Sequence, residues 1–286
     1  MPKTAPYLER FCVYLFLVVV SIASLGPICW LALNSLKGPI DILNSPPLFY
    51  GFKVVPENYL RLFFEGYPHP SASVPIFTPY LLNSLAAALG GVFLGLLIGF
   101  PAAYALARRK SRINKNIGIW ILSTRAFPPI AFVVPYFLMM RFLGLLDNVF
   151  ALVLIYALMN LPFVVWMMKG FVEELPSDLE ECAMVDGCSR TSSLVRVVLP
   201  LITPGIAATA IFCFILNWNE LLFALSITSR AARTFPVMTT FMVSGWGIAW
   251  EQMCAIGVLG LVPILIFAAI VQKYIIRGLA LAGVKG

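Results

Sequence analysis

The chain carries little charge and almost no histidine. Lys, Arg, Asp and Glu make up only 12% of its 286 residues, about half the share of a soluble domain. Apolar residues reach 60% and recur in runs along the whole length, which argues against a soluble body held by a single anchor. His69 is the only histidine, and the six cysteines (Cys12, Cys29, Cys182, Cys188, Cys213, Cys254) show no CxxC spacing. No metal site or disulfide framework is therefore expected, and the cysteines read as small hydrophobes. An intramembrane protease or hydrolase needs paired catalytic groups such as HExxH, Gly-x-Ser-x-Gly with His, or twin aspartates. None is present, and the chain has no P-loop. The net charge of +7 is spread between apolar runs rather than gathered on one face, so nucleic acid is not the expected partner.

What the sequence does have is length of apolar run. A membrane-crossing helix needs about 20 mostly apolar residues. Six stretches qualify: Phe11–Leu33, Leu81–Ala107, Ile117–Met140, Val149–Met168, Pro204–Ile227 and Met253–Gln272. The first is too long for a signal-peptide core and reads as a retained helix. The expected class is an all-α integral membrane protein of six spans. Residues 1–10 form the N-terminus, 11–276 the membrane domain, 171–203 a long connection within it and 277–286 a tail.

Orientation follows from the basic residues of the connections. Arg108 to Lys115 holds five cations in eight residues, which marks that loop as cytoplasmic. Alternation then puts both termini and the connection before Pro204 on the same side. That side carries thirteen basic residues against six on the other, with Arg125 inside a span. Basic loops facing an anionic cytoplasmic leaflet account for the net charge.

Two spans have further features. In the second, Ala87, Gly91, Gly95, Gly99, Ala103 and Ala107 recur every fourth residue, a ridge of small side chains on which another helix can pack closely. The third contains Pro128, Pro129 and Pro135, which kink a helix and free carbonyls that need partners or a wet cavity.

The connection between the fourth and fifth spans is the most informative. Ser177 followed by Glu180 predicts a capping box that starts a short helix. Gly187 predicts its end in a left-handed residue. A second short helix is expected from about Thr191 to Leu199, stopped by Pro200. This helix–turn–helix suits the transfer of a push from a soluble partner into the bundle.

Glu181-Cys182-Ala183-Met184-Val185-Asp186-Gly187-Cys188, with Leu199-Pro200 and Pro204, resembles the EAA loop of ABC importer permeases. Cys182 and Cys188 stand where that family has alanines, and Leu194 where an aromatic is common. Asn34-Ser35-Leu36-Lys37, Asn83-Ser84, Leu161-Pro162-Phe163, Trp218-Asn219-Glu220 and the terminal Gly283-Val284-Lys285-Gly286 are similar to the carbohydrate-type, maltose-system-like branch. The resemblance implies a type I importer permease with a cytoplasmic coupling-helix hairpin, in a bacterial inner membrane. It also implies a second homologous permease, a cytoplasmic ATPase dimer that holds ATP and Mg, and an extracytoplasmic binding protein. No cofactor is expected in this chain itself. Glu181, Ala183, Asp186, Gly187, Leu199 and Pro200 would couple to the ATPase, with Glu181 as the ionic contact, and Lys285 would touch it from the tail. The implied cargo is a sugar, oligosaccharide or polyol; the alternative is another small solute such as an amino acid, peptide or phosphate.

Polar residues inside spans complete the candidates. Asn160, Asn217, Trp218, Asn219 and Glu220 either line a sugar pathway, with the indole stacking on a sugar face, or bond between helices. Arg125 is read as a gating or structural charge that needs a partner or snorkels to the interface. With Glu220 it is also what a secondary transporter driven by an ion gradient would rest on.

Overall fold

The structure is a computed structural model that describes residues 5–65, 68–69, 72–73, 77–109, 111–244 and 247–283. Lys285 lies outside the described residues. In chain order the elements are α1 (Ala5–Asn34), α2 (Pro39–Ile42), α3 (Glu57–Leu60), β1 (Pro68–His69), β2 (Ala72–Ser73), α4 (Phe77–Arg108), α5 (Arg112–Ser123), α6 (Ile130–Phe142), α7 (Val149–Glu173), α8 (Asp178–Val185), α9 (Arg190–Ser193), α10 (Leu199–Leu201), α11 (Thr203–Trp218), α12 (Leu222–Ile227), α13 (Phe235–Thr240), β3 (Val243–Ser244), β4 (Gly247–Ile248) and α14 (Trp250–Gly283). The strands form two antiparallel two-residue ladders, β1 with β2 and β3 with β4. The described residues are otherwise helix and short connection.

Four helices carry an unbroken apolar stretch long enough to cross a membrane: Glu9–Asn34, Phe77–Arg108, Val149–Glu173 and Trp250–Ile270. The other two expected spans are interrupted. The third, expected as a kinked helix over Ile117–Met140, is split into α5 and α6, which meet at 96°. Pro128 and Pro129 lie in the break. Neither offers an N–H, and each disfavours helical geometry in the residue before it. The fifth, expected to run from Pro204 to Ile227, stops at Trp218 and resumes as α12. At its other end α11 meets the preceding helical segment, Arg190–Leu201, at 74°.

The chain divides into two compact units, residues 1–77 with 239–263 and residues 78–238 with 264–286. In the first, the Asn34–Lys37 segment closes α1 with a buried polar knot. Lys37 Nζ donates to Asn34 Oδ1 at 2.8 Å and sits 4.5 Å from the centre of the Trp30 ring. Asn58 Nδ2 donates to the carbonyls of Ser35 and Lys37, both at 2.9 Å. A buried ammonium is tolerated because an amide oxygen and an aromatic face replace its water.

In the second unit the small-residue ridge of α4 packs on α7. Ala87, Ala103 and Ala107 are buried. A Cβ added to Gly91 would lie 2.8 Å from Tyr156 Cβ and 2.9 Å from Asn217 Nδ2, and one on Gly99 would lie 2.6 Å from Val164 Cγ1. The ridge is thus a seat for the neighbouring helix. Gly91→Ala is expected to destabilise the chain by about 1–3 kcal/mol through overpacking. A thermal melt in detergent checks this; an unchanged midpoint would mean that α4 and α7 sit further apart.

Candidate functional site

Two regions of the second unit gather the polar chemistry. One is the hairpin of α8 to α10 at one end of the bundle. α8 ends in a Schellman arrangement: the Gly187 N–H reaches the Met184 carbonyl at 3.1 Å and the Cys188 N–H reaches that of Ala183 at 2.9 Å. Gly187 has φ +90°, the left-handed geometry its position demands. Ser189 then caps α9, its hydroxyl oxygen accepting the Ser192 N–H at 3.2 Å.

The expected capping box does not form. Ser177 has helical backbone angles and makes no side-chain cap. Glu180, expected to fold back on it, points instead to the end of α4. It accepts from Arg108 Nε at 2.6 Å, lies 2.5 Å from Arg108 Nη2 and accepts the Tyr104 hydroxyl. Arg108 Nη1 also reaches the Leu175 carbonyl at 3.1 Å. A charged partner outcompetes a local amide because ion-paired hydrogen bonds are about twice as strong as neutral ones. The second helix also departs from expectation. Pro200 does not stop it; a π turn over Leu194–Val198 runs straight into α10, and the chain bends only before α11.

Glu180 therefore anchors α8 from behind, while its other face is open. Glu181 and Asp186 are exposed, and Leu179, Met184 and Val185 are exposed apolar residues around them, Val185 at 87%. Neither acid forms an ion pair among the described residues. Ala183 is half-buried, while Leu199 and Pro200 lie in α10 at the far end of the hairpin.

The second region is a cleft of about 920 Å³ between the two interrupted spans. Thr124, Arg125, Phe127 and Pro129 line it from the α5–α6 break; Asn217, Asn219, Glu220 and Leu221 line it from the α11–α12 break. Backbone irregularity at membrane depth is tolerated where it borders such a cavity. Asn160 Nδ2 donates to Asn217 Oδ1 at 2.5 Å, and Asn217 Nδ2 donates to the Ala88 carbonyl at 3.1 Å. The Glu220 carboxylate accepts the N–H groups of Phe223 at 2.8 Å and Ala224 at 3.1 Å, capping α12 and so holding the break open. The Arg125 guanidinium lies 4.9 Å from the centre of the Phe163 ring.

Of the candidates, Arg125, Asn160, Asn217, Asn219 and Glu220 share this cleft. Trp218 does not. Its ring is buried between Phe214 and Phe235, with centroids 5.6 and 5.2 Å away, so the indole face expected to meet a sugar is covered by protein. The aromatic lining comes instead from Phe127, Phe132, Tyr136 and Phe223, linked ring to ring at centroid separations of 5.7 to 6.4 Å, the first pair edge to face, the second stacked and the third tilted. The run of aromatics after Pro129 was the available signal in the sequence.

At one end of α7, Asp147 pins a loop. It adopts a left-handed φ of 56°, which Asp tolerates better than most residues. Its carboxylate accepts four successive N–H groups, from Ser229 to Ala232, at 2.9 to 3.1 Å. Desolvation works against the charge, but the four donors outweigh it and hold the carboxyl well below the usual carboxylate range. A depressed folded value means the contribution is full above the ordinary aspartate range and fades as pH falls towards the folded value. Asp147→Asn is expected to lower the melting midpoint by roughly 2–5 °C at neutral pH, with the gap to wild type closing on acidification. A gap that is constant with pH would rule out this role.

An α-helical bundle with a polar cleft between two broken spans and an exposed, anchored hairpin at one end defines a multi-pass membrane transport subunit rather than an enzyme. Residues 91–281 match the family of binding-protein-dependent transport system inner membrane components, and the chain belongs to it. It is 34% identical to the sulfoquinovosyl glycerol transport system permease protein SmoH of Agrobacterium fabrum, covering 94% of this chain and 91% of that one. It is 33% identical to the trehalose/maltose transport system permease protein MalG of Thermococcus litoralis, covering 98% of each. In fold it is similar to a chain of a bacterial ABC transporter involved in the import of the acidic polysaccharide alginate. That likeness has a TM-score of 0.74 and 23% identity, over 96% of this chain and 99% of the other.

Proposed function

We propose that this chain is the translocating permease of an ATP-driven importer for a sugar, oligosaccharide or polyol. The observation that carries the reading is the hairpin: α8 is fixed to α4 by the Glu180–Arg108 pair and presents Glu181 outward with an exposed apolar rim. A rigid lever with a free acidic and apolar face suits docking into a soluble motor. Its partners in this reading are a second, homologous permease, a pair of ABC ATPase subunits that bind ATP and Mg, and an extracytoplasmic binding protein. The hairpin and both termini face the cytoplasm, as the basic connections favour. Closure of the ATPase pair draws the docking helices together and switches the cleft between two accessible states, a rigid-body change driven by differential affinity.

The cleft supports a polyhydroxylated cargo. Its aromatic lining offers faces for the C–H surface of a sugar ring, and the carboxamide oxygens of Asn160 and Asn219 offer acceptors for hydroxyls. Permeases named for trehalose/maltose and for sulfoquinovosyl glycerol among the relatives favour the same class. The test is ATP hydrolysis by the assembled complex with its binding protein, screened over sugars, polyols, amino acids and phosphate. Stimulation by a saccharide or polyol supports the reading; stimulation by an amino acid or phosphate alone refutes it. In the same assay Glu181→Lys is expected to reduce stimulated hydrolysis at least tenfold while the chain still inserts. Full activity in that variant would remove Glu181 from the docking contact.

A further inference from the structure

A second cleft, of about 550 Å³, opens between α5 and the hairpin-side ends of α4 and α7. It is separate from the cargo cleft in all but one residue, Pro162. Its floor is apolar, with Leu122, Val165 and Trp166 among the lining residues, and its rim carries three cations, Arg109, Arg112 and Lys169, against one carboxylate, Glu173. Lys169 and Glu173 neutralise each other across 2.9 Å. Arg109 and Arg112 form no ion pair among the described residues, so the rim keeps two uncompensated positive charges. Around it, Trp120 and Trp166 are 69% and 54% exposed, and tryptophan at this level marks the boundary between acyl chains and headgroups. α5 itself has the make-up of an interfacial helix: a basic, amide-rich start at Arg112–Asn116 and exposed Ile117, Ile119 and Trp120 beyond it.

From the apolar floor and the doubly cationic rim, we propose that this cleft binds one anionic glycerophospholipid. A phosphodiester lies between Arg109 and Arg112 and an acyl chain lies along Val165 and Trp166. Charge selects the lipid: a zwitterionic headgroup brings its own ammonium to a rim that is already positive, whereas an anionic one offsets it. Basic recesses between membrane helices at the headgroup level are of this general type. The arginines suit the task because a guanidinium can bind two phosphate oxygens at once. The site lies beside Arg108, so the lipid sits next to the pair that anchors the hairpin.

The test is native mass spectrometry of the full-length chain from micelles doped with phosphatidylglycerol or phosphatidylcholine of matched acyl chains. Wild type is expected to retain phosphatidylglycerol roughly tenfold better than phosphatidylcholine. Arg109→Gln with Arg112→Gln should abolish that preference, and millimolar inorganic phosphate should not displace the lipid. Equal retention of the two lipids, an undiminished preference in the double variant, or displacement by phosphate alone overturns the proposal. Should the double variant fail to insert, Glu173→Gln decides the matter. Loss of the sole carboxylate of the lining should raise phosphatidylglycerol retention several-fold, and no rise sinks the idea.

Discussion

Glu180→Ala is expected to abolish most of the stimulated ATP hydrolysis of the assembled transporter, although Glu180 lies on the buried side of α8, against α4. The side chain is buried, and its carboxylate receives Arg108 Nε at 2.6 Å together with the Tyr104 hydroxyl. Removing it leaves a guanidinium whose side chain is only 18% exposed without a counter-charge. The cost is about 1–3 kcal/mol, paid where α8 joins α4. The hairpin then swings instead of transmitting force. Arg108→Ala should resemble Glu180→Ala, and the double variant should be no worse than either single one, the signature of two side chains acting as one unit. The exchanged pair, Arg108→Glu with Glu180→Arg, should recover part of the coupling. If the two single losses simply add, the pair is not the anchor.

Gly187→Val is expected to have an effect of similar size for a different reason. Gly187 stands at φ +90°, and a Cβ added there would meet nothing within 4 Å. Crowding is therefore not the issue. The cost is backbone strain, on the order of 1–3 kcal/mol for a side chain forced into that region and greatest for a β-branched one. Relief of the strain would unwind the last turn of α8, breaking the Cys188-to-Ala183 bond and displacing Glu181. Gly187→Asn separates the causes, because asparagine tolerates left-handed geometry. It should keep most of the stimulated hydrolysis that Gly187→Val loses. Equal loss in both would point to a requirement other than backbone conformation.

Much of this arrangement was legible in the sequence, and each exception has a physical cause. Four unbroken spans and the rough positions of two interrupted ones follow from the length of apolar runs, which bilayer thickness fixes directly. The seat of α7 on Gly91 and Gly99 follows from a repeat of small residues, and the turn at Gly187 from a rule about one residue. The capping box and the free indole failed because a side chain outside the local pattern intervened. The pattern of Ser177 and Glu180 satisfies a local rule, but Arg108, more than seventy residues earlier, takes the carboxylate. Trp218 looked available until Phe214 and Phe235 closed over it. The interruption after Trp218 contains neither proline nor glycine; it is maintained by Glu220 turning its carboxylate onto the next helical turn, a use of a membrane acid that composition does not reveal. The break at Pro128 and Pro129 was signalled, but not its angle.

The carboxamide relay from Asn160 through Asn217 to the Ala88 carbonyl joins α7, α11 and α4 at a single depth. Three spans bolted together in this way form a tripod that resists sliding of one leg past another. The hairpin is rooted in the same three helices, since α8 to α10 link α7 to α11 and Glu180 holds the end of α4, so a push on the hairpin is expected to displace the tripod as one body.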